Sequence, residues 1–331
     1  MKRSDSHPNG KTLVWTVAGA MTSALFFFSS LFVPLIGSFL GILAPLPLLA
    51  LLLREGWRMG GLASLGAVFI VGIAIKPVIA LYFFVQFVLL GLVAVYLLEK
   101  RATFGYVMLV SSLVVMIGFF SLLAFRAHSL HQGVFETLKK PIQENIHMVL
   151  ENYPGMSVGE TREMEGMFQK MLSLLIVLVP VLVVIGSWLI LFVNFYLLDR
   201  IQLVPGRKIL EGFDLNRWRT PDHFIWLVIF PGFAIFFLSG TFRIVALNVL
   251  VASLTVYFFQ GLCIVNFYLE RRKMPSFVKF LIYFTLVVVQ VVAVLVVIMG
   301  LLDMWLDFRR IFPIKPEGSL PTSDDGDDSS S

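Results

Sequence analysis

The sequence predicts an all-α membrane protein, a polytopic bundle of about nine transmembrane helices. Hydrophobic residues make up 58% of the 331 residues and charged residues only 14%, whereas about a quarter of the residues of soluble domains are charged. Long apolar runs also recur along the chain, separated by short charged segments. A run of about 18 apolar residues crosses a hydrocarbon core of roughly 30 Å as a helix. We therefore expect the chain to fold in a lipid bilayer.

The apolar runs define the predicted spans in order along the chain. The first begins at Leu13 and is longer than the apolar region of a signal peptide, so we expect it to be retained. Pro45 and Pro47 interrupt the second, which is therefore either a kinked span or a re-entrant element that leaves eight helices. The predicted spans are residues 13–33, 35–53, 59–75, 78–98, 104–125, 171–198, 223–241, 244–269 and 279–302.

Charged and polar segments between the spans divide the chain into five parts. These are a cytoplasmic N-terminus (1–12), a six-helix bundle (13–198) with an outer loop (126–170), a basic cytoplasmic loop (199–222), a three-helix extension (223–310) and an acidic tail (311–331). The tail lacks apolar anchors, so we expect it to be disordered. In the outer loop, the helical spacing of Ile142, Ile146, Val149 and Tyr153 predicts an amphipathic helix at the membrane surface.

The distribution of basic residues predicts the orientation of the chain. Cytoplasmic loops retain Lys and Arg, and an N-terminus inside places most of the 26 basic residues in inner loops. Nine crossings would put Arg309, Arg310 and Lys315 outside, and an even number would relieve that tension. We expect a multi-pass protein of the bacterial inner membrane. Its net charge of +5 suits anionic headgroups, since the basic residues lie at helix ends, and does not suggest nucleic acid.

Five amide side chains within the predicted spans are the candidate substrate-binding residues: Gln86, Asn194, Asn248, Asn266 and Gln290. Polar groups in a bilayer cost free energy unless they are paired. These amides therefore either line a pocket for a small polar solute or form hydrogen bonds between helices. At 100° per residue, Asn248 and Asn266 share a helix face with Thr255, while Gln260 points about 120° away.

Sequence motifs for catalysis, nucleotide hydrolysis and metal binding are missing from the chain. It contains no GxxxxGK[ST], HExxH, GxSxG or CxxC pattern and a single cysteine, Cys263, so we expect neither an enzyme nor a cofactor. His128 and His131 lack a third ligand at a recognised distance, so we expect no metal site. Transport driven by ATP would require partner subunits.

Two segments near the C-terminus carry a resemblance to a known family. FFQGLCIVNFYLERRKMPS (258–276) and MGLLDMWLDFRR (299–310) resemble the YybS-like family of bacterial membrane proteins, whose activity is uncharacterised. The resemblance assigns Gly300, Asp303, Asp307 and Arg309 to a family-like terminal motif. From their spacing we expect Asp303 and Asp307 to form a surface cap with Arg309 and Arg310.

The N-terminal part carries a second resemblance. AMTSAL (20–25) and PLIGSFLGILAPLPLLALLLREGWRMGGLASL (34–65) are similar to the start of substrate-binding S components of energy-coupling-factor transporters. That resemblance implies a six-helix bundle that captures a small solute. It also implies that Ala20 and Ala24 dock a coupling subunit that works with ATPases. The chain departs from the pattern by three added helices and a long outer loop.

Two functions follow as expectations. The first is a small-solute-binding component of a transport system, with an S-component-like bundle and a C-terminal extension. The alternative is a membrane scaffold or assembly factor that recruits partners through the outer loop and the basic loop 199–222, its amides serving only to join helices.

Overall fold

A computed structural model describes residues 10–33, 36–151, 158–205, 209 and 218–311. Within these ranges, the structure describes only the backbone of residues 145–151, 158–163, 280, 287, 288, 290, 310 and 311. The predicted acidic tail, most of the predicted cytoplasmic N-terminus, Tyr153 and much of the basic loop 199–222 thus lie outside the described residues. What is described is helical and contains no strand, as predicted.

Fourteen α-helices follow one another in the described part of the chain. They are α1 Gly10–Phe32, α2 Ile36–Ile42, α3 Leu46–Arg54, α4 Trp57–Ala74, α5 Pro77–Phe83, α6 Leu90–Glu99, α7 Phe104–Ser129, α8 Val134–Glu151, α9 Val158–Arg200, α10 Trp226–Phe237, α11 Gly240–Arg271, α12 Ser276–Val288, α13 Gln290–Leu306 and α14 Phe308–Ile311. A π-helical segment, Phe84–Leu89, joins α5 to α6, and a 3₁₀ turn, Asp222–Ile225, precedes α10.

Seven segments of the described chain are long and apolar enough to cross a membrane, or eight if α12 and α13 form one bent span. The interrupted segment Ile36–Arg54 counts among the seven. The run expected at 223–241 is instead a shorter apolar helix, Asp222–Phe237. The run expected at 279–302 consists of two helices bent by 98°. The structure therefore confirms the helical bundle and has one or two spans fewer than the nine predicted.

The predicted outer loop 126–170 is largely helical. Helix α7 continues to Ser129, α8 occupies Val134–Glu151, and α9 begins at Val158 and runs for 43 residues. Glu136 and Glu144 are exposed on α8, whereas Thr137 is buried. An amide hydrogen bond of 2.6 Å from Gln143 Nε2 to Gln169 Oε1 joins α8 to α9. A helix is thus present where the sequence predicts one, and its position at the membrane surface stays a prediction.

The chain divides into two compact units. Unit 1 comprises Met1–Asp214 and Trp226–Ser253, and unit 2 comprises Leu215–Ile225 and Leu254–Ser331. Helix α11 therefore contributes its first part to unit 1 and the remainder to unit 2.

Small residues allow the helices of unit 1 to approach closely. Ala20 and Ala24 of α1 are buried in one apolar cluster with Ala63 and Ala67 of α4. Alanine and glycine at such spacings let helix backbones pack with few intervening side chains. At Gly37 of α2, an added Cβ would lie 1.8 Å from the Ser29 carbonyl oxygen of α1. These small residues therefore serve close packing within this unit.

Unit 2 uses two glycines for the same purpose. An added Cβ at Gly261 of α11 would lie 2.1 Å from the carbonyl oxygen of Val296 on α13. At Gly300 of α13 it would lie 2.0 Å from the carbonyl oxygen of Tyr257 on α11. Real Cβ atoms do not approach an oxygen this closely, so α11 and α13 pack backbone to backbone at these positions.

Candidate functional site

The break between α2 and α3 of unit 1 exposes backbone carbonyl groups inside the bundle. Pro45 and Pro47 have no N–H to donate, so regular helical bonding fails there. The amides of Leu43, Ala44 and Leu46 instead donate to carbonyls three residues earlier. In a regular helix the Leu46 N–H would bond to the Ile42 carbonyl, but here it bonds to Leu43. The Ile42 carbonyl is therefore left without its usual donor.

Asn194 of α9 supplies the missing donor at this break. Its Nδ2 donates to the Ile42 carbonyl at 2.8 Å and to the Ile190 carbonyl of its own helix at 2.6 Å. The side chain is fully buried. Its Oδ1 has no hydrogen-bond partner among the described residues. Since a buried unpartnered acceptor costs about 1–3 kcal/mol, this oxygen indicates a ligand position in unit 1. The hydroxyl of Ser111 on α7 is likewise buried and has no partner among the described residues.

Ser23 of α1 binds the same break from another side. Its hydroxyl donates to the Ala44 carbonyl at 2.6 Å, and the side chain is fully buried. The α2–α3 break, defined here as Ile42 to Pro47, therefore has two polar partners on two different helices. Of these two side chains, only Asn194 has a buried polar atom with no hydrogen-bond partner among the described residues.

Gln86 lies in a second irregular segment of unit 1, the π-helical turn Phe84–Leu89. Such turns are rare and occur frequently at functional sites. Its Nε2 lies 3.5 Å from the hydroxyl of Ser187 on α9, a long contact for a hydrogen bond. Ser187 and Asn194 are seven positions apart on α9, which places them on one helix face about 10 Å apart. Gln86 and Asn194 thus border the same face of α9.

Asn248 serves a different proline in unit 1. Its Oδ1 accepts from the Val181 N–H at 3.0 Å, and its Nδ2 donates to the Val177 carbonyl at 2.9 Å and to the Ile244 carbonyl at 2.9 Å. The Val181 N–H and Val177 carbonyl are the pair that would bond to each other in a regular helix, and Pro180 lies between them. The Asn248 amide therefore supports α9 where this proline weakens it.

The predicted amides of unit 1 do not meet in one place. The Asn248 contacts on α9 lie about 20 Å from Asn194 along the helix axis. Gln86 and Asn194 border one face of α9, whereas Val177, which binds Asn248, is turned about 80° from Ser187 on that helix. The structure thus brings two of the predicted residues to a common face and gives Asn248 a separate, fully bonded position.

The small-residue face of α1 lies inside unit 1. Ala20 is 4% exposed and Ala24 is 1% exposed. The Cβ of Ala20 lies 3.4 Å from the position of a Cβ on Gly66 of α4. In this conformation the pair joins α1 to α4, and docking of a coupling subunit through it would require these helices to separate. The outer side of α1, with Val17, Met21 and Leu25, is exposed.

The two amides predicted in unit 2 have separate outcomes. Asn266 Oδ1 accepts from the hydroxyl of Tyr283 at 2.9 Å, which joins α11 to α12. The side chain of Gln290 lies outside the described residues. Ligand binding by either residue stays a prediction.

The terminal motif of unit 2 surrounds a buried carboxylate. Asp303 is 1% exposed, and its Oδ2 accepts from Gln260 Nε2 at 3.1 Å while its Oδ1 accepts from the Phe308 N–H at 3.0 Å. Gln260 Oε1 accepts in turn from the Thr220 N–H at 3.1 Å. The expected surface cap is therefore wrong for Asp303, because the helix end folds inward at Asp307, whose φ is +43°.

Two arginines of unit 2 bind backbone carbonyls near this helix end. Arg219 donates to the carbonyls of Asp303 and Met304 at 3.2 and 2.9 Å. Arg309 donates to the Trp218 carbonyl at 2.8 Å. The motif Gly300, Asp303, Asp307 and Arg309 thus closes the end of α13 and fixes the segment 218–220. Gln260, which sequence reasoning set aside, is central to this network, and only its contact with Asp303 identifies it.

Within the described residues, no three His, Cys, Asp or Glu side chains are grouped so as to hold a metal ion. His128 and His131 are exposed at the end of α7. The polar features of the described chain are therefore amides, hydroxyls and helix-end networks.

These observations define a polytopic helical membrane protein with buried polar positions between its helices. The chain belongs to the family described as "Predicted membrane protein (DUF2232)", whose model matches residues 20–304. Comparison with curated proteins and with solved structures yields no match. The resemblances to the YybS-like family and to transporter S components remain predictions.

Proposed function

We propose that this protein is a small-solute-binding component of a membrane transport system, with the solute held in unit 1 beside the α2–α3 break. The observation that carries the proposal is the buried Oδ1 of Asn194, which has no partner among the described residues. Interrupted membrane helices with freed carbonyl groups are the usual place of substrate and ion sites in transporters. A solute that donates a hydrogen bond would satisfy this oxygen.

Gln86 is the second polar group of the proposed site. It stands in the π-helical turn and borders the same face of α9 as Asn194. Ile190 and Leu191 lie between the two contact points and are buried. The structure is therefore closed at this position, and solute entry requires these apolar side chains to move.

The chain carries no P-loop, so transport driven by ATP would require partner ATPases and a coupling subunit. The proposal assigns the chain no catalytic step. It agrees with the S-component resemblance in its six-helix N-terminal region but not in the docking face, because Ala20 and Ala24 are buried.

Native mass spectrometry of the full chain, gently released from membranes of its own host, tests the proposal. We expect the wild-type protein to carry a small molecule and Asn194→Leu to lose it. Ser23→Ala is the matched control, because it removes one donor from the same break and leaves the Asn194 oxygen in place. We expect this control to retain the molecule.

Three results would count against the proposal. If the wild-type protein carries only lipid, it holds no solute. If Asn194→Leu and Ser23→Ala lose the bound molecule equally, the loss reflects damage to the α2–α3 break. Unrelated protein partners in place of a solute would favour the scaffold alternative.

A further inference from the structure

A cleft of about 510 Å³ lies between the start of α4 and the end of α6 in unit 1. Trp57, Tyr96, Glu99 and Lys100 line it. Its volume falls within the range of about 300–1,000 Å³ that small-molecule sites occupy. The cleft shares no residue with the proposed solute site.

Contacts between side chains hold the walls of this cleft. The indole Nε1 of Trp57 donates to Glu99 Oε2 at 2.8 Å. The ammonium of Lys100 lies 5.7 Å from the centre of the Tyr96 ring, within the distance of a cation–π contact. Trp57 and Glu99 thereby fix one wall, while the Lys100 ammonium stands at the other and is exposed.

Positive charge exceeds negative charge among the lining residues of the cleft and their sequence neighbours. Arg58 and Arg101 are the sequence neighbours of Trp57 and Lys100, and both are exposed. Arg54 pairs with Glu55 at 3.2 Å, but no described carboxylate pairs with Arg58, Lys100 or Arg101. Glu99 accepts from the neutral Trp57 indole and keeps its negative charge, so Arg58, Lys100 and Arg101 (+3) together with Glu99 (−1) leave a net charge of +2. The group that best complements these three cations is an anion.

The position of the cleft identifies the source of that anion. The candidate spans Trp57–Ala74 and Pro77–Glu99 begin and end at it, so it lies where a membrane meets water. Tyr and Trp are enriched at this boundary. Leu62, Leu65 and Phe69 of α4 are more than half exposed, which provides an apolar surface for acyl chains beside the cleft. We propose that the cleft binds the phosphate headgroup of an anionic phospholipid.

The test uses the full chain in nanodiscs that contain equal amounts of phosphatidylglycerol and phosphatidylcholine. After ejection from the discs, native mass spectrometry counts the lipids that stay bound. We expect the wild-type protein to retain phosphatidylglycerol in preference. A basic residue near a membrane surface contributes about 1 kcal/mol, so Lys100→Gln and Arg58→Gln should each lower the preference about fivefold.

Arg243→Gln is the matched control, because Arg243 is an exposed basic residue at the start of α11, distant in sequence from the cleft. We expect it to leave the preference unchanged. Trp57→Phe removes the indole donor but keeps a ring, and we expect a partial loss. These side chains are exposed or partly exposed, so we expect their substitution to leave the fold intact. Gel filtration verifies that every variant remains monodisperse.

Several results would overturn the proposal. Equal retention of the two lipids in the wild-type protein shows that no headgroup is selected. An equal loss with Arg243→Gln shows that total charge, and not the cleft, attracts the lipid. In discs of phosphatidylcholine alone, binding of inorganic phosphate that Lys100→Gln abolishes would identify a soluble phosphate compound as the ligand.

Discussion

Prolines disturb helical hydrogen bonding in unit 1 at the α2–α3 break and at Pro180 of α9, and an asparagine serves each of these two places. At Pro180 in α9, the Asn248 amide bonds through its oxygen and both of its N–H groups. At the α2–α3 break, Asn194 uses only its N–H groups and keeps a buried oxygen unpaired. A fully bonded amide is explained by the fold alone, whereas a partly bonded one is not. This difference separates a structural residue from a candidate ligand-binding residue.

Unit 2 provides a third buried polar side chain, Asp303, and we expect its substitution to lower the stability of the protein the most. Asp303→Asn keeps the shape of the side chain but presents an NH₂ group either to the Gln260 NH₂ or to the Phe308 N–H, which now donate to the carboxylate. Gln260 cannot turn over without placing its own NH₂ against the Thr220 N–H. We expect a loss of about 3 kcal/mol, since buried donors lose a charged acceptor.

Thermal unfolding in detergent measures this loss through the reaction of a thiol dye with Cys263. This residue is the single cysteine of the chain and is 4% exposed. The double variant Gln260→Glu/Asp303→Asn reverses the direction of the hydrogen bond and should recover most of the stability. If the double variant is less stable than Asp303→Asn alone, the network is not organised as described.

Substitution of Asn248 should lower the stability of the protein by an intermediate amount, and this amount should depend on whether Pro180 is present. Asn248→Leu removes the partners of the Val181 N–H and Val177 carbonyl, and we expect a cost of about 2 kcal/mol. In a Pro180→Ala background the helix can close its own bonds, so the same substitution should cost less than half as much. The dye assay compares the four proteins as a double-mutant cycle. Equal costs in the two backgrounds would show that Asn248 does not compensate for the proline.

Ser23→Ala should have the smallest effect of this series. It removes one hydrogen bond, to the Ala44 carbonyl at 2.6 Å, and bonds between membrane helices contribute about 0.6 kcal/mol on average. We expect a loss of stability of no more than about 1 kcal/mol, together with unchanged solute retention. A Ser23→Ala protein that fails to fold would show that the α2–α3 break depends on this hydroxyl far more than one such hydrogen bond accounts for.

The sequence predicts the helices well because the signal is local. Apolar length alone locates most spans, and Pro45 and Pro47 mark the break. The shorter helix at Asp222–Phe237 and the bend between α12 and α13 escape this reasoning, because apolar composition does not determine where a helix ends inside an apolar run.

The candidate site is less predictable, because its hydrogen bonds join distant parts of the chain. Asn194 and Asn248 look alike in the sequence, and only the partners at Ile42 and Val181 distinguish them. Helical phase placed Gln260 apart from the polar stripe of its helix, but its partner Asp303 lies on another helix. The π-helical turn at Gln86 likewise has no marker in the sequence, since neither proline nor glycine occurs in it.

The length of α9 has a structural consequence. Its 43 residues extend about 65 Å, roughly twice the thickness of a hydrocarbon core. One end bears Asn194, the other is joined to α8 through Gln169, and Pro180 lies near the middle. One continuous helix therefore connects the α2–α3 break, through Asn194, with the contact that Gln169 makes to α8.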